Sequence, residues 1–294
     1  MGARTDTQVV IGRPVRWRWR RRIDGLWRHV QPVFFLPGVA VSIVGAVLAP
    51  DPSISTAAVH ATAVALAVYV AHLTDGYVDY YVRGEDERNR LSPAELRAAT
   101  ILTATAFGPC LVALGFTSGA LAVGVTAPLL ALGYLHAPYL DTNPITTTVD
   151  YPTGIALAVV GGYATQTGTV SGAVGTTALA LFVFLSGIGI LMDLLDYEHD
   201  REIGKRTVPV VLGPERARSV SSWLVVSSSV VVLSASAMSV VPVTATVIGP
   251  VPSVTVFAWT RSDWAVEVAV RRRIATTYVF TALLVLAVLL ESGW

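Results

Sequence analysis

The chain has 294 residues, 53% of them hydrophobic and only 14% charged, with a mean hydropathy of +0.60. Those values exclude an ordinary soluble globular domain and point to a polytopic membrane protein. The net charge of +1 decides little, because in such proteins the placement of charge matters more than its sum, and the single cysteine, Cys110, excludes a disulfide framework.

The N-terminus carries Arg13-Pro-Val-Arg-Trp-Arg-Trp-Arg-Arg-Arg22. It reads as a basic cytoplasmic arm, residues 1–31, lying along the membrane interface. Interleaved Trp and Arg also suit nucleic acid, but no globular unit accompanies them, and no nucleic-acid partner is expected. A signal peptide is not expected either, since the first apolar run begins only at residue 32 and eight more follow it.

A helix needs roughly 20 apolar residues to cross the hydrocarbon core. Candidate spans lie at about 32–50, 57–81, 97–116, 119–140, 150–168, 172–197, 216–238, 240–260 and 274–292. The expectation is an all-α polytopic membrane protein: one domain over residues 32–294, with nine transmembrane helices. The seventh and eighth spans have the weakest pattern, being rich in Ser and Val and interrupted by Pro242, Pro250 and Pro252.

Basic residues fall before span 1 and after spans 2, 6 and 8, and none follows spans 1, 3, 5, 7 or 9. The positive-inside rule makes the basic side cytoplasmic, with the N-terminus inside and the C-terminus outside. The parity of nine spans agrees. Asp75 and Asp79 end span 2, while Asp193, Asp196 and Asp200 end span 6. Both clusters therefore emerge on the cytoplasmic side, four helices apart, as in a weak internal repeat with a site at the interface of its halves.

Carboxylates are costly in hydrocarbon and need a reason to be there. An isolated Asp at a helix end serves as an interfacial residue or cap; five on matched faces at one level need a different account. Asp193, Asp196 and Asp200, at offsets of three and four, fall on one face of a continuous helix. The pairs Asp75/Asp79 and Asp196/Asp200 could hold Mg²⁺, which takes a few carboxylates together with substrate phosphates. The metal would make a diphosphate a better leaving group, and nearby Arg and Lys would stabilise the departing charge. An apolar cavity between helices would shelter a hydrocarbon tail and a carbocation from water. His72 and His136 fit acid/base or phosphate contacts, or packing. Tyr77, Tyr80 and Tyr81 read as interfacial aromatics, and Asp141 and Asp150 as loop or helix-start residues.

Asp193-Leu-Leu-Asp196-Tyr-Glu-His-Asp200-Arg-Glu-Ile-Gly204-Lys-Arg-Thr-Val-Pro209 resembles the second aspartate-rich motif of the UbiA superfamily of intramembrane prenyltransferases. Asp75-Gly-Tyr-Val-Asp79 resembles the first, and Tyr134-Leu-His-Ala-Pro138 is similar to the family's Tyr-Ser-Ala-Pro segment. The resemblance covers most of the chain. It implies a helical bundle around a central cavity, capped by cytoplasmic loops, that transfers a prenyl group with Mg²⁺. Carried over, it makes Asp75, Asp79, Asp196 and Asp200 catalytic, and Asp79, Asp193, Asp196 and Asp200 metal-binding. Tyr134 joins the substrate-binding residues.

The chain departs from the family at three places. Asp75 replaces an Asn, Arg83 stands where the first motif's last Asp belongs (Asp86 fits only with a register shift), and the Lys of a Tyr-x-x-x-Lys element is missing. No Lys or Arg occurs from residue 98 to 200, so cations for the diphosphate must come from Arg83, Arg88, Arg201, Lys205 or Arg206. The expected partners are a prenyl diphosphate, an aromatic (such as a quinone precursor) or lipid acceptor, and the bilayer of the cell membrane. A terpene cyclase that needs no acceptor is the alternative. An ion-coupled transporter fits less well, because transporter sites tend towards the midplane.

Overall fold

The computed structural model describes residues 15–84 and 90–291, with side chains described between residues 19 and 290. Within those residues the chain is helical throughout, with no strand. Helix α1 (Val15–Arg28) leads into α2 (Pro32–Val47), α3 (Ile54–Val78), α4 (Pro93–Ser118), α5 (Ala120–Tyr139), α6 (Pro144–Thr167) and α7 (Gly172–Leu195). Short helices α8 (Tyr197–Glu202) and α9 (Val208–Leu212) precede α10 (Pro214–Ala237), α11 (Ala245–Ile248), α12 (Val251–Thr260) and α13 (Val266–Glu291).

The boundaries follow local chemistry. The Ser53, Asn143 and Ser171 side chains accept from Thr56, Ile145 and Val174 backbone N–H groups, giving α3, α6 and α7 their starts. Ser92 and Glu95 form a reciprocal capping box on α4. Gly119 alone separates α4 from α5; its φ of +84° suits glycine and turns the chain back sharply.

Each of the nine stretches read from the sequence carries helix, yet the described residues meet the span criterion less often. Six helices are long and apolar enough to cross a membrane: α3 with its continuation to Arg83, α4, α5, α7, α10 and α13. A seventh is reached if Trp19–Arg28 and Pro32–Val47, bent by 68°, form one span. Helix α6 is long enough, but Thr146, Thr147, Thr148 and Asp150 dilute its first turns. The eighth stretch is broken into α11 and α12, where Pro250 and Pro252 remove backbone donors.

Large apolar side chains lie on the outside as well as in the core, where Phe107, Phe184 and Phe280 are buried together with small polar residues. Phe116 is 90% exposed and Leu102 72%, whereas Ser42, His60, Thr126, Thr177, Ser221 and Ser228 are buried. Some buried hydroxyls are satisfied by their own helix, as when Thr126 donates to the Ala122 carbonyl at 2.6 Å, and others across helices, as when Ser221 donates to the Gly187 carbonyl. An apolar outer surface suits an integral membrane protein, which meets hydrocarbon there. Small residues also let backbones touch. A Cβ on Gly162 would lie 2.1 Å from the Ser42 carbonyl oxygen, and one on Gly45 would lie 2.0 Å from that of Val159, locking α2 against α6. Gly133 meets the Ala67 carbonyl in the same way and sets α5 against α3.

Helix α1 packs on the ends of α3 and α4 beside the acidic residues. Leu26 joins Leu73, Leu91 and Leu96 in a small core, and the Tyr69 hydroxyl donates to the Leu26 carbonyl. Arg21 and Arg22 both pair with Glu95. His29, just beyond α1, lies against Gly76, where a Cβ would come within 2.2 Å of its ring.

Candidate active site

The two acidic segments converge at one end of the bundle. Helix α3 carries Asp75, and Asp79 continues it by donating its N–H to the Asp75 carbonyl. The next turn, Asp79–Arg83, is π-helical and closes on Gly84, whose φ of +73° is left-handed and whose N–H reaches the Asp79 carbonyl. The wide turn brings Arg83 back over the site. Its Nη1 is 2.9 Å from Asp141 Oδ2 and 3.4 Å from Asp79 Oδ1, and its Nη2 donates to the Ala137 carbonyl.

The second segment is not one continuous helix. Helix α7 stops at Leu195, because Asp196 (ψ +9°) leaves the helical conformation, and α8 restarts beyond it. The three carboxylates therefore do not share a single face: Asp193 is half-buried, Asp196 exposed and Asp200 buried. Gly204 (φ +75°) then reverses the chain. The Lys205 N–H returns to the Asp200 carbonyl, and Lys205 Nζ reaches Asp141 Oδ1 at 2.9 Å. The glycine-lysine pair after the acids is thus a turn that aims a cation back into the site.

Asp141 joins the two segments. It lies in the short turn between α5 and α6, is 9% exposed, and gives one oxygen to Arg83 and the other to Lys205. Asp75 is within electrostatic reach of His136, Asp141, Lys205 and Arg83, and Asp193 of Lys205, Asp200, Asp141 and Asp196. Burial raises the pKa of Asp200, against the pull of Lys205. Burial also disfavours the Lys205 cation, but Asp141, Asp200 and Asp193 outweigh it and raise its pKa. Six carboxylates (75, 79, 141, 193, 196, 200) thus face two cations (83, 205), a formal excess of four negative charges.

That excess suits a divalent ion. No three His, Cys, Asp or Glu among the described residues are close enough to form a cage. The donor set still fits Mg²⁺, which is usually held by one or two carboxylates plus phosphate oxygens. Asp193 Oδ2 is buried with no hydrogen-bond partner, an oxygen suited to a cation.

The other residues expected from the sequence are placed unevenly. Tyr134 is 55% exposed, Arg201 pairs with Glu198 at the surface, and Arg206 is exposed. Arg88 and Asp86 lie outside the described residues. Tyr77 takes Arg97 over its ring, and the Tyr81 hydroxyl donates to the Leu91 carbonyl, so these aromatics brace the π turn. Reading Asp141 as a loop or helix-start residue missed its pairing with Arg83 and Lys205, and Asp150, read the same way, is buried within α6 against His136. Parity was the available signal: the end of span 4 falls on the same side as both acidic clusters. His29 against Gly76 was not foreseen, and a lone histidine after a basic arm offers no pattern to find.

The acidic segments thus meet at one end of a bundle with several apolar helices long enough to cross a membrane. The sequence model of the UbiA prenyltransferase family matches residues 36–284, and the chain belongs to that family. No curated protein matches it. A digeranylgeranylglyceryl phosphate synthase structure aligns with a TM-score of 0.72 at 12% identity, covering 91% of this chain and 98% of the other. A UbiA homologue from Archaeoglobus fulgidus bound to GPP and Mg²⁺ aligns with a TM-score of 0.67 at 18% identity, covering 91% and 99%. An apo homologue from Aeropyrum pernix K1 gives 0.67 at 16% identity, covering 88% and 97%. At these identities the structures speak for the fold.

Proposed function

We propose that this protein ionises a prenyl diphosphate with Mg²⁺ at the acidic end of the bundle and transfers the prenyl group to an aromatic or lipid acceptor. The observation that carries the reading is the convergence of both aspartate segments on Asp141 through Arg83 and Lys205. Family membership supplies the reaction class, and relatives of this fold bound to GPP or DMAPP with Mg²⁺ support the substrate class.

Mg²⁺, when bound, would draw charge from the diphosphate and make it a better leaving group. Asp79, Asp193, Asp196 and Asp200 would hold it, with Asp75 beside them. Arg83 and Lys205 would turn from Asp141 to the phosphate oxygens, taking over the charge as the C–O bond breaks. Arg88, Arg201 and Arg206 would draw the anion to the mouth, and Tyr134 would contact the substrate.

In the full proposal residues 1–31 form the arm, and residues 32–294 form nine spans around a central cavity. The N-terminus and the site mouth face the cytoplasm across the cell membrane. The test is to incubate purified protein with labelled C10 to C20 prenyl diphosphates and Mg²⁺, with and without 4-hydroxybenzoate, 1,4-dihydroxy-2-naphthoate or a glyceryl phosphate lipid. Label on the acceptor supports transfer, and a cyclised hydrocarbon formed without acceptor makes the protein a cyclase. Full turnover in EDTA, or no release of diphosphate, would overturn the reading.

A further inference from the structure

The aspartates and cations account for ionisation but not for the proton that leaves afterwards. Capture of a prenyl cation by an aromatic carbon or a hydroxyl oxygen releases a proton from the acceptor, and that proton needs a base. Asp79 and Asp141 pair with Arg83 or Lys205, and Asp193, Asp196 and Asp200 belong to the proposed metal set. Asp75 lies among these charges with no imidazole or hydroxyl of the described residues behind it to relay a proton. His136 and Asp150 belong to neither set.

His136 lies in the last turn of α5, with its side chain 36% exposed on the site side of the hairpin that carries Asp141. Its Nδ1 is 2.5 Å from Oδ2 of Asp150, whose side chain is only 6% exposed. Asp150 Oδ2 accepts from Nδ1, so in the neutral imidazole it is Nε2 that carries the lone pair. A carboxylate behind an imidazole fixes the tautomer and stabilises the cation that protonation creates. The charged and titratable groups facing His136 are His72 and Asp75 from α3, Arg83 from the π turn at Ala137, Asp141 from the α5–α6 turn and Asp150 from α6. His72 is a poorer base, because it is only 7% exposed and its Nδ1 is enclosed without a partner.

We propose that His136 Nε2 is the general base that takes the acceptor's proton, with Asp150 as the residue that positions it. The proposal rests on the prenyl-transfer reading. The C–O bond of the prenyl diphosphate breaks and its electron pair leaves with the diphosphate. The acceptor's electron pair forms the new bond to the prenyl carbon. The acceptor's proton passes to Nε2, and the Asp150 carboxylate balances the imidazolium.

The test separates ionisation from proton removal. Full-length protein in lipid nanodiscs is given Mg²⁺ and geranyl diphosphate with ¹⁸O in the bridging position. Scrambling of the label into non-bridging positions reports reversible ionisation, and total diphosphate release reports capture by any acceptor, water included. General bases contribute about 10²–10⁴-fold. His136→Gln is therefore expected to lower release by about 100-fold while scrambling persists. Asp150→Asn is expected to have a smaller effect of the same pattern. Release by the unaltered protein should rise with pH along a one-proton limb that His136→Gln abolishes, and added imidazole should restore part of the activity of His136→Ala. Equal loss of scrambling and release would make His136 a diphosphate contact and overturn the proposal, as would no change in either. An unaltered protein that neither scrambles nor releases diphosphate would overturn the prenyl-transfer reading together with this one.

Discussion

Arg83 occupies a position where the family's first motif carries an acid, and the structure gives that exchange a consequence. A carboxylate there would add to an already negative site; a guanidinium offsets Asp79 and Asp141 instead. Lys205 does the same from the second segment. Asp141→Asn should therefore release both cations from their resting place without removing either. The expected result is a several-fold change in the KM for geranyl diphosphate with kcat changed less, whereas Arg83→Ala should raise KM about tenfold or more, the loss of one charge-assisted contact. Steady-state kinetics on the two variants and their combination checks this, and additive effects in the double variant would show that Asp141 does not act through Arg83. Asp196→Ala is expected to abolish turnover with no loss of folded protein, since Asp196 is exposed and surface substitutions cost little. Asp200 is buried at 3% exposure, so Asp200→Asn, which removes a desolvated charge, should also leave a monodisperse protein while turnover disappears. Near-normal turnover in either variant would remove that residue from the site. At this scale the sequence was legible wherever spacing carried the signal: the acids of both segments, and the Gly204–Lys205 turn. Asp141, Asp150 and His29 were not legible as site residues, because their contacts come from tertiary approach between α3, α5, α6 and the arm, which no local pattern encodes.

Elements were legible through apolar length and punctuation. Helices α3, α4, α5, α7, α10 and α13 follow from long hydrophobic runs, most of them opened by a Ser cap, Gly or Pro, and each is long and apolar enough to cross a membrane. Their meeting points were hidden, because amphipathic periodicity is weak when one side faces lipid and the other a mostly small-residue interior. Gly162 and Gly45 show what decides the packing instead. Each would drive a Cβ to about 2 Å from a carbonyl oxygen of the facing helix, and backbone cannot move aside as a side-chain tip can. Gly162→Ala should therefore separate α2 from α6 and destabilise the protein by about 3 kcal/mol, the upper part of the usual overpacking range. Gly124→Ala, in α5 with nothing within 4 Å of its Cβ position, is the control and should be neutral or slightly stabilising. Heat- or SDS-induced unfolding measures both, and equal stability of the two variants would show that α2 and α6 do not touch through these glycines. Because α6 also carries Asp150, loosened α2–α6 packing should lower activity even where the protein stays folded.

For the whole molecule the placement of charge predicts a direction across the bilayer. In the nine-span proposal successive spans alternate between two ends, which would put the connections at Asp51, Thr117–Gly119, Thr169 and Ser239 at one and those at Thr142, Arg206 and Asp263 at the other. In that arrangement the acidic site would share the second end with the segments that carry Arg90, Arg201, Lys205, Arg206, Arg216, Arg218 and Arg261. The first set of connections contains no Lys or Arg, and such asymmetry sets orientation because basic loops resist translocation. A cytoplasmic site would also put the diphosphate of the proposed substrate in water on the basic side. Cys110 is the only cysteine, so a Cys110→Ala background permits single-cysteine mapping. Cysteines at Asp51, Thr117, Thr169 and Ser239 should react with an impermeant maleimide added outside intact cells. Those at Thr142, Arg206 and Asp263 should react only after the membrane is opened. All seven positions are exposed in the fold, so a missing label reports sidedness and not burial. Labelling of the second set from outside would reverse the orientation. A mixture within either set would break the alternation itself and lower the number of spans, most directly at the interrupted α11–α12 stretch, where Ser239 and Asp263 would then react from the same side.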